Sequence, residues 1–307
     1  MKPGSSSPIL AAGLSHPGLN RPNNEDRYAI LPGSFENQPA LLAILADGIG
    51  GHQAGEVAAE IAVQTIRETI QNAQGGAPRE ILTQAFVRAN QRINQAASEN
   101  ENRHGMGTTC VTAWVVANRL YTASLGDSRI YLWRNGVLRQ VTTDHTWVQE
   151  AIESGVMTRE QGRHHPNARI VRRYLGAPQD TPPDFRQNLS GLTAPNTELL
   201  LEPGDCILLC SDGLSDLVED AEIAAILQTG GNLKNILERL IQRANEMGGR
   251  DNITAVLLAV PSASTPTVPQ TSRQRRNLLL ACGIAALSLC IITMLVVVVA
   301  SLISLWR

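Results

Sequence analysis

The sequence predicts an α+β layered sandwich in preference to a doubly wound parallel sheet. Segments with the pattern of β-strands come in groups separated by tight turns, as antiparallel strands do, and segments with the pattern of helices come in pairs. The chain has 307 residues, of which 43% are hydrophobic, so it can bury one substantial core or two small ones. A globular region with antiparallel sheets and paired helices is therefore expected.

The first half of the chain contains a strand that leads through a glycine-rich loop into a helix. Residues 40–46 form an apolar run that ends in Asp47-Gly48, and residues 56–70 carry apolar side chains at helical spacing. A second helix is predicted over residues 78–98, with proline at its first position and one apolar face. We expect these two helices to pack against each other.

Strand patterns dominate the rest of the folded region. Residues 108–141 predict an antiparallel meander, in which Asn135-Gly136 indicates a type I′ hairpin turn. Residues 197–210 predict another hairpin, with its turn at residues 202–205. The remaining predicted elements are helices at residues 220–228 and 232–247 and a final strand at residues 253–260.

The two ends of the chain differ from the folded region, which we expect to span residues 13–260. Residues 1–12 lack the basic and apolar segments of a secretory signal, so a flexible N-terminus and a cytoplasmic domain are expected. Residues 261–277 begin with small residues and prolines, which indicates a linker. Residues 278–305 carry no charge and exceed the roughly 20 residues that span a bilayer, which predicts one transmembrane helix.

The arginines around that span predict its orientation. Three precede it and one follows it, which by the positive-inside bias places the folded domain in the cytoplasm. The prediction is a single-pass protein of the cell membrane. The arginines are Arg273, Arg275, Arg276 and Arg307.

Net charge and cysteine usage exclude several classes of function. With 26 basic and 28 acidic residues the net charge is −2, so no overall field favours nucleic acid as a partner. Cys110, Cys206 and Cys210 lack the spacing of a metal site or of a disulfide framework, and buried cytosolic thiols are expected. Any charge-dependent function must be local.

Acidic residues recur at predicted strand ends and in tight turns. They are Glu25-Asp26, Asp47-Gly48, Asp212-Gly213 and Asp251-Asn252. Taken singly, each Asp-Gly is as readily an ordinary turn. Strand ends meet along one edge of a sandwich, where several carboxylates repel one another unless cations neutralise them. Because oxygen ligands select hard cations, Mg²⁺ or Mn²⁺ is expected.

Six motifs, in this order, resemble the motif set of the protein phosphatase type 2C family over about residues 13–260. They are Arg21-Pro22-Asn23-Asn24-Glu25-Asp26, Ala46-Asp47-Gly48-Ile49-Gly50-Gly51-His52, Gly107-Thr108-Thr109, Leu125-Gly126-Asp127-Ser128-Arg129, Ser211-Asp212-Gly213 and Gly249-Arg250-Asp251-Asn252. The resemblance implies a four-layer α-β-β-α sandwich of two antiparallel sheets flanked by helix pairs. It also implies a metal-dependent phosphatase for phosphoserine and phosphothreonine in proteins, with an opposing serine/threonine kinase as a partner.

The resemblance further implies roles for the acidic residues. Asp47 would bridge two metal ions, and Asp212 and Asp251 would complete the first site. Asp127 resembles the ligand of a third metal ion. A bridged metal pair activates a shared water and stabilises the attacking and leaving oxygens of an in-line displacement.

The second metal site and the groups that contact phosphate are implied in the same way. The carbonyl of Gly48 would serve the second site with Glu25 or Asp26, partly through water. Arg21 would hold phosphate through its guanidinium fork, although a solvated loop arginine is the alternative. His52 would protonate the leaving oxygen as general acid, although a surface or helix-capping histidine is the alternative.

Residues 144–192 correspond by resemblance to the variable flap beside the active site. Arg169 and Arg172 stand where relatives more often carry Asn and Thr, and they form a basic cluster with their neighbours. A solvated charged loop is one interpretation. Contact of both arginines with acidic or multiply phosphorylated stretches of the substrate is the other.

Two other classes of protein share parts of this pattern. A strand, a glycine-rich loop and a helix also bind nucleotides, but Gln53 stands where the dinucleotide fingerprint requires glycine, and Gly-Lys-Ser/Thr is absent from the sequence. A membrane-tethered reader of phosphoproteins without catalysis would show replaced ligands, yet Asp47, Asp127, Asp212 and Asp251 are present.

Overall fold

The computed structural model describes residues 9–50, 54–163, 165–179, 181–189 and 198–262. Within these ranges the strands form two five-stranded antiparallel sheets and one short pair. The first sheet has the spatial order β1 (Leu10–His16), β12 (Ile253–Ala259), β11 (Cys206–Cys210), β8 (Arg129–Arg134) and β9 (Val137–Gln140). The second has the order β10 (Leu199–Leu200), β7 (Arg119–Leu125), β6 (Cys110–Val116), β3 (Gln38–Ala46) and β2 (Arg27–Phe35). The short pair is β4 (Gly48–Ile49) and β5 (Gly107–Thr108).

Helices cover the outer faces of both sheets. On the second sheet, α1 (Ala54–Gln71) and α2 (Pro78–Ser98) pack against each other, as predicted. On the first sheet, the covering helices are α6 (Asp220–Gln228) and α7 (Leu233–Glu246). The predicted layers of helix, sheet, sheet and helix are therefore confirmed. The other helical segments are α3 (Trp147–Glu153), α4 (Arg159–Arg163), α5 (Asp212–Ser215) and a 3₁₀ turn (Glu101–Arg103).

Strand β3 shows why the sequence has continuous apolar runs. Successive side chains of a strand point to opposite faces, and both faces of this sheet are covered. One alternate set belongs to the core between the two sheets, and the other belongs to the core beneath α1 and α2. The first set is Leu41, Ala43 and Leu45, and the second set is Leu42, Ile44 and Ala46.

The predicted meander over residues 108–141 is wrong, because its strands belong to two different sheets. Strands β6 and β7 pair in the second sheet, whereas β8 and β9 pair in the first. The chain crosses between the sheets at residues 126–128. The hairpin turn is confirmed, since Asn135 and Gly136 have φ values of 52° and 79°, as a type I′ turn requires.

The predicted hairpin over residues 197–210 is also a crossing between sheets. Strand β10 pairs with β7 in the second sheet, and β11 lies between β12 and β8 in the first. At the N-terminus, residues 10–12 are part of β1, where Leu10 pairs with Ala259, so the predicted flexible segment of residues 1–12 is too long. Backbone pairing with β12 orders these residues.

No helix in the described ranges is both long enough and apolar enough to cross a membrane. The predicted transmembrane helix at residues 278–305 lies outside those ranges. Residues 1–8 and the predicted linker beyond Ser262 also lie outside them.

Candidate active site

Strand ends meet along one edge of the sandwich and border an open cleft of about 1220 Å³. Five acidic side chains line it, each beside a strand or in a connection between strands. They are Glu25 before β2, Asp47 after β3, Asp127 between β7 and β8, Asp212 after β11 and Asp251 before β12. The structure therefore brings together the carboxylates to which the sequence pointed, and it places Gly48 in the same lining.

Burial and mutual repulsion raise the pKa values of these acids. Burial, followed by the charges of Asp26 and Asp212, raises the pKa of Asp47 well above its usual range. Burial, followed by the charge of Asp127, does the same to the pKa of Asp212. Burial raises the pKa of Asp127 to about 7, and the nearby charge of Asp144 adds to the effect. Ionising such a group of acids costs free energy unless cations lie close by.

Asp26 lies buried behind the cleft. The hydroxyl of Ser211 donates to its Oδ2 at 2.8 Å, whereas Oδ1 is buried and has no hydrogen-bond partner among the described residues. Burial raises the pKa of Asp26 to about 6. A buried carboxylate oxygen without a partner is costly and requires an explanation such as an ion or a water molecule.

The donor set fits hard divalent cations. Every candidate ligand offers oxygen, from carboxylates or from the backbone carbonyl of Gly48, and oxygen donors suit Mg²⁺ and Mn²⁺. In the part of the chain that the structure describes, no three acidic, histidine or cysteine side chains already surround a single point. The acids thus share a cleft without forming a finished coordination sphere, and a cation would relieve both their repulsion and the unpaired oxygen of Asp26.

Two threonines hold the backbone of Asp47. The amide of Thr109 donates to the Asp47 carbonyl at 2.8 Å, and its Oγ1 accepts from the Asp47 amide at 3.1 Å. The hydroxyl of Thr108 donates to the same carbonyl at 2.8 Å. Thr109 also shares a 2.7 Å hydrogen bond with the hydroxyl of Ser128, beside Asp127. The Gly107-Thr108-Thr109 motif therefore positions acids of two different loops.

Asn252 positions the acidic loop before β2, a role that the sequence pattern does not reveal. Its Oδ1 accepts from the amide of Glu25 at 2.8 Å. Its Nδ2 donates to the carbonyls of Asn23 at 2.8 Å and Pro17 at 3.0 Å. The only available signal was its place next to Asp251 in a recognised motif.

Close backbone packing explains two glycines at the start of α1. A Cβ on Gly48 would lie 2.5 Å from the carbonyl carbon of Gly55. A Cβ on Gly55 would lie 2.3 Å from Oε2 of Glu25. Because any side chain would force these segments apart, glycine lets the helix start approach both β4 and the acid.

The first residues of the flap hold the loop that carries Asp127. The amide of Gly126 donates to Nδ1 of His145 at 3.1 Å, and the amide of His145 donates to the Gly126 carbonyl at 2.9 Å. Arg129, two residues beyond Asp127, forms an ion pair of 2.7 Å with Asp144. The Asp127 loop is therefore bound to the flap on both sides.

Of the two predicted catalytic residues that are not acids, the structure describes Arg21 but not His52. Arg21 lines the cleft at its rim, with 53% of its side chain exposed, and its Nη2 lies 2.7 Å from Oδ2 of Asp251. That hydrogen bond raises the pKa of Arg21. His52 lies outside the described residues, but Gly50 and Ala54 on either side of its segment both line the cleft.

The two flap arginines lie in different places. Arg169 lines the cleft, and its Nε lies 3.1 Å from Oδ2 of Asp216. Arg172 is absent from the described lining, and its Nε lies 3.5 Å from Oε2 of Glu150. The structure thus brings only Arg169 to the acids.

Comparison with known proteins decides the family. Residues 12–258 match the family described as Protein phosphatase 2C. The chain belongs to the protein phosphatase 2C family. Serine/threonine phosphatase stp of Listeria monocytogenes is 34% identical to it over 245 residues, which cover 78% of this chain and 92% of the relative. Protein phosphatase PhpP of Streptococcus pneumoniae is 33% identical over 251 residues, which cover 80% and 96%.

Solved structures of serine/threonine phosphatases share this fold. The serine/threonine phosphatase of S. agalactiae superposes with a TM-score of 0.73 at 30% identity, covering 82% of this chain and 99% of that one. The catalytic domain of PstP, solved with two manganese ions, superposes with a TM-score of 0.69 at 34% identity, covering 83% and 99%. The predicted enzyme class, a protein serine/threonine phosphatase, is thereby confirmed.

Proposed function

We propose that the protein hydrolyses phosphoserine and phosphothreonine in proteins, using two divalent cations, Mn²⁺ or Mg²⁺, in the acidic cleft. The observation that carries the proposal is the group of partly buried, mutually repelling carboxylates that lines an open cleft. The unpaired oxygen of Asp26 supports it. The names of the relatives and the two manganese ions of PstP support it as well.

Asp47 is the acid that we propose to face both cations, because the charges of four other acids, Asp26, Asp212, Asp127 and Asp251, all act on it. When bound, such cations supply Lewis acidity, which makes water a nucleophile and offsets the charge of the phosphoryl group. Residues proposed to hold them are Asp47 for both, Asp212 and Asp251 for the first, Gly48 with Glu25 or Asp26 for the second, and Asp127 for a third.

Two further side chains would act on the substrate itself. Arg21, half-exposed at the rim, would bind phosphate oxygens through two parallel N–H donors. It now donates to Asp251, so phosphate would replace a carboxylate of similar geometry. His52 would donate a proton to the departing seryl or threonyl oxygen. Gly50 and Ala54, which flank its segment in the chain, both line the cleft.

The test is release of phosphate from a phosphothreonine peptide by the purified protein. We expect release with Mn²⁺ or Mg²⁺ and none after excess chelator. A non-catalytic reader of phosphoproteins would bind the peptide without releasing phosphate. Undiminished release in excess chelator would contradict the role of the cations.

We further propose that this phosphatase opposes a serine/threonine kinase at the cytoplasmic face of the cell membrane. Support comes from the uncharged segment at residues 278–305 and from the arginines that precede it. The helix would confine the enzyme near membrane-bound phosphoproteins without taking part in the chemistry.

A further inference from the structure

The 3₁₀ turn that follows α2 contributes to the lining of the cleft. Asn102 and Arg103 of this turn, and Asn100 directly before it, line the same cleft as the acids. None of the three belongs to a motif that the sequence singled out. The described lining contains three arginines, of which Arg21 and Arg169 are the other two.

Arg103 differs from the other two arginines in its pairing. Arg21 lies 2.7 Å from Asp251, and Arg169 lies 3.1 Å from Asp216, so each faces an acid of the protein. Arg103 is half-buried as a residue, and its guanidinium has neither an ion pair nor a hydrogen bond within the described ranges. A charge that is partly withdrawn from water without a counter-ion is unfavourable, and an incoming anion would relieve it.

The backbone around Arg103 is held in place relative to the acids. Its amide donates to the carbonyl of Asn100 at 2.9 Å, and its carbonyl accepts from the amide of buried Met106 at 3.1 Å. Two residues further on, Thr108 pairs with β4 and donates its hydroxyl to the carbonyl of Asp47. Arg103 therefore stands on a short, hydrogen-bonded path from the central acid, and a group bound to it would be held near the reacting phosphate.

We propose that Arg103 binds a second anionic group of the substrate, a carboxylate or a phosphate that flanks the residue being dephosphorylated. The proposal rests on the proposed function, because it names the substrate class of the same cleft. Guanidinium binds carboxylate and phosphate with the same bidentate geometry, so the shared chemistry is a planar or tetrahedral oxyanion. The amides of Asn100 and Asn102 lie in the same lining and can donate to the peptide.

The experiment compares three phosphothreonine peptides that differ only beside the scissile residue. One has neutral flanks, one has glutamates two and three positions away on either side, and one has a non-hydrolysable phosphonate there. We expect the native protein to have a kcat/KM about tenfold higher for the anionic peptides, mainly through KM. Arg103→Gln should reduce this ratio to about threefold, the part that Arg169 contributes, and Arg103→Lys should retain more of it.

A matched control is Arg139→Gln, since Arg139 is exposed on β9 and is not in the described lining. It removes the same charge and should leave the ratio unchanged. Equal kcat/KM for all three peptides in the native protein would overturn the inference, although the proposed phosphatase activity would stand. The inference would also be overturned if Arg103→Gln and Arg139→Gln had the same ratio of kcat/KM for anionic over neutral peptides. Failure of the native protein to release phosphate from any peptide would instead contradict the proposed function.

Discussion

Ser211 donates a hydrogen bond of 2.8 Å to Oδ2 of Asp26, which joins two residues that lie 185 positions apart in the chain. The same hydroxyl oxygen accepts from the backbone amide of Thr254 at 2.9 Å. One side chain therefore connects the loop before β2 with the end of β11 and with β12. These are three of the segments from which the acids of the cleft emerge, so Ser211 supports the site without lining it.

Replacement of that serine tests this role. Ser211→Ala should lower the free energy of unfolding by about 1–3 kcal/mol, because it leaves a buried amide and a buried carboxylate with one partner fewer. The measurement is urea denaturation at pH 7, and the expected readout is a lower midpoint with an unchanged slope.

Ser215→Ala provides a control with the same chemical change nearby. In the part of the chain that the structure describes, the buried Oγ of Ser215 has no hydrogen-bond partner, so its removal should be neutral or stabilising. Equal losses of stability in the two variants would contradict the role assigned to Ser211.

Asp47→Asn should abolish the release of phosphate without damaging the fold. A neutral amide keeps the shape of the side chain, but it removes the charge that we propose to face both cations. We expect at least a hundredfold loss of kcat with Mn²⁺. In chelator the variant should unfold at the same temperature as the native protein or higher, because its repulsion with Asp26 and Asp212 is relieved. Activity near the native rate would remove Asp47 from the metal site.

In the metal-free protein, the acids of the cleft should make stability fall as pH rises from about 4 to 7. Burial raises the folded pKa of Asp127 from 3.8 to about 7 and that of Asp26 to about 6. Groups with a raised pKa bind more protons in the folded state than in the unfolded state. Their contribution to the free energy of unfolding is therefore present at low pH and is lost as the pH rises through the folded pKa. The pKa of Asp184 is lowered from its usual value of 3.8, so Asp184 makes stability fall only when the pH drops below 3.8. It does not change the pH dependence between about 4 and 7.

The measurement is the urea midpoint between pH 4 and 7 in chelator. Asp127→Asn should show a shallower decline than the native protein, because one of the raised groups is gone. Added Mn²⁺ should restore stability at pH 7, since a ligand of the folded state stabilises it by mass action. A native midpoint independent of pH across this range would contradict the electrostatic description of the cleft.

The flap arginines should differ in their effect on substrates. Arg169→Asn should raise KM for acidic phosphopeptides about threefold, because Arg169 lines the cleft, and the change also leaves Asp216 without its cation. Arg172→Thr should leave the same KM unchanged, because Arg172 is paired with Glu150 away from the described lining. Steady-state kinetics on acidic and neutral peptides measure both. Equal effects of the two substitutions would support a solvated basic loop.

A protein ending at Pro261 should release phosphate at the native rate and remain in the supernatant after high-speed centrifugation. The residues proposed to act in catalysis precede this position, and the uncharged segment at residues 278–305 follows it. The full-length protein should sediment with membranes and require detergent for release. Recovery of the full-length protein in the supernatant would contradict the membrane anchor.

Local pattern was enough to find the acids but not the residues that hold them. Asp47, Asp212 and Asp251 stand beside glycine or asparagine at the ends of apolar runs, a signal confined to a few neighbouring positions. Thr109 and Asn252 act through partners 62 and 227 positions away, so the residues around them carry no sign of the contact. Arg103 was missed for the same reason, because only the folded chain shows that it lines the cleft with the acids.

The sequence by itself determined the class of the fold, the order of most elements, the family and the set of acids, because periodicity, turn chemistry and short motifs are local properties of a chain. Only the tertiary structure decided which strands share a sheet. A hairpin and a crossing between sheets have the same strand, turn and strand pattern, and the choice depends on the backbone partners that each strand finds elsewhere. Strand β8 pairs with β11 and not with β7, so the crossing at residues 126–128 carries Asp127 to the edge where the other acids meet. Hydrogen bonding between distant strands therefore brings together acidic residues that the sequence motifs had already identified.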